Sequence, residues 1–140
     1  MILFLETIHE HALLIDFSIF ILIWIVHLIV YPSFHHISSD CFKDWHQSYC
    51  NRISIFVLPL MTIQVIESAS TCFFVGGAVV WVRINAVLFA WLITFFHSAR
   101  IHRYLSENGK SEKLINSLLK GNLWRAICWS IALFVSWYQY

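Results

Sequence analysis

Eight histidines and four cysteines, set among only a few charged residues, are the side chains in this 140-residue sequence with chemistry to offer. His27, His35, His36, His46, His97 and His102 fall near the ends of apolar stretches that the charge pattern places on one side, while His9 and His11 fall on the other. Neutral imidazole is the commonest metal ligand and titrates near neutrality, so such a group suits a heme, a metal ion or a proton relay. The plainer alternative is imidazoles that solvate helix ends, and the adjacent pair His35-His36 fits it best. Glu67 is the sharpest single residue. It follows Arg52 by fifteen positions, which in a helix is about 22 Å, deep inside an apolar segment. An ionisable group at such depth is costly and usually faces a partner in the bundle interior. Gln64, Ser68 and Thr71 extend a polar stripe around Glu67, and Asp16 together with Arg83 or Asn85 are the partners in reach. Asn122 and Arg125 open the last apolar stretch, where Arg125 either snorkels to headgroups or points inward as an anchor for an anion or a carbonyl.

The elements that position these residues follow from hydropathy. Hydrophobic residues make up 59% of the chain and charged residues 12%, about half the charge of an ordinary soluble domain. A soluble fold of this size cannot hide that much apolar surface, so the bilayer must be the solvent. A formal net charge of +1 excludes a nucleic-acid partner of the usual strongly basic kind. The expected partners are the lipid bilayer, a hydrophobic small molecule, and copies of itself or a larger membrane complex. A hydrocarbon core of about 30 Å needs about 20 apolar residues in helix. Four segments meet that demand: 12–31, 53–75, 78–99 and 123–137. They are solidly apolar and do not alternate, which selects helices over a barrel. The chain is therefore expected to form a single all-α domain over residues 1–140, a four-transmembrane-helix antiparallel bundle.

Gly76-Gly77 should make a tight turn between the second and third helices, and Ser106 to Lys110 a solvated loop. Pro59 should interrupt the second helix. The basic residues set the orientation. Lys43 and Arg52 flank the first loop, and Arg100, Arg103, Lys110, Lys113, Lys120 and Arg125 flank the third, with Arg83 alone on the other side. Cytoplasmic loops retain Lys and Arg, so both termini are expected on the non-cytoplasmic side of a bacterial inner membrane. Tyr31, Trp45, Trp81, Trp137, Tyr138 and Tyr140 fit interfacial belts. The first eleven residues hold Glu6, His9, Glu10 and His11 but no Lys or Arg, unlike a signal peptide. No disulfide framework is expected of the four cysteines.

Several short pieces come in a suggestive order: Tyr31-Pro32-Ser33-Phe34, Phe42-x-x-Trp45-His46-x-x-Tyr49-x-x-Arg52-Ile53, Pro59-x-Met61 with Glu67, Trp91-x-x-Thr94, His102-x-x-Leu105, and Asn122-x-Trp124-Arg125 with Trp129. In this order the chain resembles a group of small bacterial four-helix membrane proteins, distantly similar to the anthrone-oxygenase-like family. Tyr49 stands where a second histidine is expected three residues after His46, and Arg100-Ile101 where a proline would precede His102. The resemblance implies a membrane oxidoreductase or oxygenase acting on a hydrophobic aromatic or quinone-like substrate. In that reading His46 or His102 takes a proton, Arg125 and Asn122 steady an oxyanion, and Glu67 belongs to the same functional set. Two alternatives stand beside it. One is a protein holding heme b or a divalent metal, with His27, His46, His97 and His102 as ligand candidates and His46 and His102 as the metal pair. The other is a non-enzymatic accessory membrane subunit whose polar residues serve packing.

Overall fold

A computed structural model describes residues 7–139. Glu6 and Tyr140 lie outside the described residues. Four long helices make up the fold: α1 (Ala12–His36), α2 (Ser39–Phe74), α3 (Ala78–Asn108) and α4 (Glu112–Gln139), each long and apolar enough to cross a membrane. The chain is thus a multi-pass helical membrane protein, and its polarity is distributed accordingly. Phe73, Phe74, Phe96 and Phe134 stand on the outside of the bundle, whereas Asp16, Gln64, Glu67 and Arg83 are buried within it. In lipid that inversion is favourable, since apolar side chains lose nothing outside and charges find partners only inside.

The helices run past the segments that hydropathy marks. α2 begins at Ser39 rather than at 53, α3 continues to Asn108 rather than 99, and α4 starts at Glu112 rather than 123. The added turns carry too many polar residues to register as apolar, yet they pack on one another through Phe34, Phe42, Leu105, Ile115 and Leu118. At 36 and 31 residues, α2 and α3 are about 54 and 46 Å long, well over a hydrocarbon core of about 30 Å. Both overhang at the end that carries the α1–α2 and α3–α4 connections, called here the basic end.

Ser106 to Asn108, expected as loop, are helical, and the turn is confined to Gly109–Ser111. Gly109 takes φ 89°, a left-handed conformation that ends α3. Lys110 Nζ then donates to the carbonyl oxygens of His35 (2.7 Å) and Ile37 (3.0 Å), clasping the two connections together. His35 and His36 form the last tight turn of α1, at a helix end as expected. The expected turn at Gly76-Gly77 is present, with φ of 67° and 97°. α2 continues as α-helix through Pro59.

Two π-type turns interrupt otherwise regular helices, at Val26–Val30 in α1 and Thr94–Ser98 in α3. In α1 the inward residues step Ala12, Asp16, Ile19, Ile23, Val26 in threes and fours, then jump five positions to Tyr31 before resuming at Phe34. The extra residue of the wide turn re-aims the end of α1, so that Tyr31 faces inward.

Candidate functional site

At the basic end three helices deliver a hydrogen-bonded chain. His46 of α2 is fully buried, stacked on Phe42 with ring centroids 5.4 Å apart and edge-on to Phe34 at 5.5 Å. Its Nε2 lies 3.0 Å from His102 Nδ1, and its Nδ1 lies 2.9 Å from Ser106 Oγ. The far nitrogen of His102, Nε2, lies 2.8 Å from the Tyr31 hydroxyl. Every ring nitrogen of the two imidazoles thus has a partner. Neutral imidazole carries one N–H, so in the contact between the two rings one donates and the other accepts.

Cys50 sits one helical turn beyond His46, with Sγ 3.6 Å from His102 Nδ1 and 3.8 Å from His46 Nε2. Among the described residues, His46, Cys50 and His102 are the one group of three potential metal-binding side chains whose ligand atoms all lie within 4.8 Å of one another. All four cysteines are free thiols.

The cluster borders a cavity of about 270 Å³. That exceeds the volume of about 150 Å³ that holds a benzene molecule. Tyr31, Tyr49, Cys50, His102 and Arg125 are among its polar lining, with Ser54, Thr94 and Ser98, and Ile19, Ile23, Val57, Met61 and Trp129 are among its apolar walls. The lining reaches the half-exposed Leu22 of α1 and the exposed Leu58 of α2 and Ala99 of α3, so the cavity comes to the outer surface of the bundle.

Arg125 is the cationic group of this cavity and is nearly buried. Its Nη1 donates to Asn122 Oδ1 at 3.2 Å, and its guanidinium lies 5.0 Å from the centre of the Trp129 ring. Asn122 is itself anchored to the carbonyl of Ile23 at 3.4 Å. Arg125 Nε is buried without a hydrogen-bond partner, and no ion pair among the described residues includes Arg125. A buried guanidinium without a carboxylate is expensive, and an anionic or carbonyl oxygen in the cavity would offset that cost.

Glu67 belongs to a different cluster, toward the opposite end. Arg83 Nε donates to Asp16 Oδ2 at 2.8 Å, and Arg83 Nη1 donates to Glu67 Oε2. Gln64 Nε2 donates to Asp16 Oδ1 at 2.7 Å, and Ser136 Oγ also donates to Asp16. Thr71 Oγ1 donates to Glu67 Oε1 at 2.7 Å, and His9 Nδ1 stands 3.2 Å from the same oxygen. Asn85, the other candidate partner, instead donates to the carbonyl of Trp81. Trp129 joins the two clusters, since its indole N–H donates to Gln64 Oε1 at 3.0 Å while its ring receives Arg125.

Of the expected set, His102 and Arg125 line one cavity, His46 stands behind His102 and Asn122 behind Arg125, and Glu67 does not join them. His97 lies in its own environment, with Nε2 3.1 Å from Ser117 Oγ and its ring against Gly121. His27 stands edge-on to Trp24 with centroids 5.8 Å apart. His35 pairs with Glu112 at the clasp. Cys50 and Ser106 escaped the reading of the sequence, although both carry a usable signal. Each follows a site histidine by four positions, His46–Cys50 and His102–Ser106, which places both pairs on single helix faces. Comparison of the chain with protein-family models, curated proteins and solved structures finds no match.

Proposed function

We propose that this chain is a bacterial inner-membrane oxidoreductase or oxygenase that takes a hydrophobic aromatic or quinone-like molecule from the lipid and ionises it at its oxygen. Its four helices alternate in direction, with both termini on the non-cytoplasmic side and the basic end in the cytoplasm, as the distribution of Lys and Arg requires. The observation that carries the reading is the cavity: apolar over most of its wall, open toward lipid, with Arg125 and the Tyr31–His102 pair at its polar edge. Such a lining suits a ligand with an apolar body and one oxygen function.

Arg125, held by Asn122, binds the oxygen and stabilises negative charge developing on it. Tyr31 receives the substrate's hydroxyl proton as it passes its own to His102 Nε2, and His46 and Ser106 complete the relay behind. The resulting phenolate or quinolate is the electron-rich form that dioxygen or a quinone oxidises.

Equilibrium titration of the detergent-purified protein with a naphthoquinol or an anthrone-type phenol tests this reading. Removing a hydrogen bond to a charged group costs about 1.5–3 kcal/mol, so Arg125→Met should weaken binding about tenfold to a hundredfold. Filling the cavity with Val57→Trp should abolish it. Absence of binding by the wild type, or equal binding by both variants, refutes the assignment.

A further inference from the structure

We propose that His46, Cys50 and His102 form a three-ligand site for Zn²⁺ whose fourth position faces the cavity. This goes beyond the aromatic-substrate reading and does not depend on it; with the ion bound, His102 Nε2 keeps its proton and donates to Tyr31, so the transfer from Tyr31 to His102 belongs to the metal-free protein.

The first argument is metric. Zinc binds imidazole nitrogen at about 2.0 Å and thiolate sulfur at about 2.3 Å, so a tetrahedral ion separates two nitrogens by about 3.3 Å and nitrogen from sulfur by about 3.5 Å. The corresponding edges here are 3.0, 3.6 and 3.8 Å. With those bond lengths the triangle encloses ligand–metal–ligand angles of about 97°, 114° and 124°, whose sum of about 335° lies nearer the roughly 328° of three tetrahedral angles than the 360° of a flat site.

The second argument concerns the nitrogens that would not bind the ion. A metal-bound histidine normally donates its other ring N–H to an oxygen that fixes tautomer and orientation. His46 Nδ1 is placed for this on Ser106 Oγ, and His102 Nε2 on the Tyr31 hydroxyl. These two contacts leave His46 Nε2 and His102 Nδ1, the pair that face each other beside Cys50 Sγ, to bind the cation.

The donor set and its surroundings select the metal. Two imidazoles and one thiolate suit zinc, or copper of the blue type when a methionine lies on the axis. Met61 lies eleven residues past Cys50 on α2, about 16 Å along the helix, which puts it out of reach. Three protein ligands with an open fourth place describe a zinc that acts on something, in contrast to the four-ligand shell of a structural zinc. Cys50 and His102 line the cavity, so the open place points there. With one thiolate the centre carries a net single positive charge, and Arg125 lines the same cavity. Two cationic groups favour an anionic oxygen as the fourth ligand.

The proton balance is simple. Cys50 loses its thiol proton to solvent as the Zn–S bond forms. The hydrogen bond between the two imidazoles is replaced by two Zn–N bonds, one ring changing tautomer with both rings neutral. One proton is released for each ion bound.

The test uses the full chain in detergent, stripped with chelator and free of any organic ligand. Zn²⁺ should bind at one ion per chain, and Co²⁺ in its place should give a sulfur-to-cobalt charge-transfer band with intense tetrahedral bands in the visible. Cys50→Ser should remove the charge-transfer band and weaken Zn²⁺ by about a hundredfold or more, whereas Cys41→Ser should change neither. Ser106→Ala should weaken binding about tenfold to a hundredfold while the band persists. In the wild type, bound Zn²⁺ should shield Cys50 from alkylation, a readout that needs no variant to fold. Sub-stoichiometric zinc, a cobalt band that survives Cys50→Ser, or Cys50 alkylated equally with and without zinc overturns the proposal. A blue thiolate–copper centre that excludes zinc overturns the choice of metal. Because no aromatic ligand is present, a negative result leaves the aromatic-substrate reading standing, and loss of that reading leaves the metal measurement intact.

Discussion

Replacing Arg83 by Met probes the most heavily invested interaction in the bundle. Arg83 is buried and bridges two buried carboxylates, donating to Asp16 at 2.8 Å through Nε and to Glu67 through Nη1. Methionine keeps most of the apolar stem and removes both charge-assisted bonds. At about 1.5–3 kcal/mol each, the two bonds bound the loss at about 3–6 kcal/mol, and removal of one partner from a buried ion pair typically costs about 3–5 kcal/mol. The triple variant Asp16→Asn, Glu67→Gln, Arg83→Met should regain most of that, because no uncompensated charge is left inside. Thermal unfolding in mild detergent, followed by the reaction of buried Cys128 with a thiol-specific dye, reads all three proteins on one scale. A loss below about 0.5 kcal/mol for Arg83→Met, or a triple variant no better than the single one, would show that the ion cluster does not hold α1, α2 and α3 together.

Two further substitutions address features away from the cavity. A Cβ on Gly121 would stand 2.4 Å from His97 Nδ1, so Gly121→Ala should cost about 1–3 kcal/mol in the same assay, and adding His97→Ala should recover most of it. Lys110→Met removes both donations to the end of α1 and should raise amide hydrogen exchange at 109–115 by several-fold, with little change at the cavity.

The four apolar rods were legible because lipid imposes a length and a composition that no packing detail can disguise. The Asp16–Arg83–Glu67 cluster was legible for the same reason: three ionisable residues in apolar segments had to meet. The extra turns of α2, α3 and α4 were not, since tertiary packing of residues such as Phe42, Leu105 and Leu118 sustains helix where composition is mixed. Convergence of His102 with Arg125 on one cavity followed from their places at the same helix ends. The participation of Cys50 did not, because a single thiol in a helix gains a partner only when another helix brings His102 beside it. The π-type turn at Val26–Val30 has no local sequence signature here, and it shifts the register so that Tyr31 falls on the inward face.

The overhang of α2 and α3 beyond the hydrocarbon sets the depth at which reactive groups operate. His46 precedes Arg52 by six residues, about 9 Å nearer the water, while Ile23, Met61 and Trp129 remain at the depth of acyl chains. An amphiphile that drifts in from the side can keep its greasy portion dissolved in the leaflet and present only its head to the protein. On the proposed function, the leaflet would serve as both reservoir and guide, and the binding step would spare the cost of extracting the molecule into water.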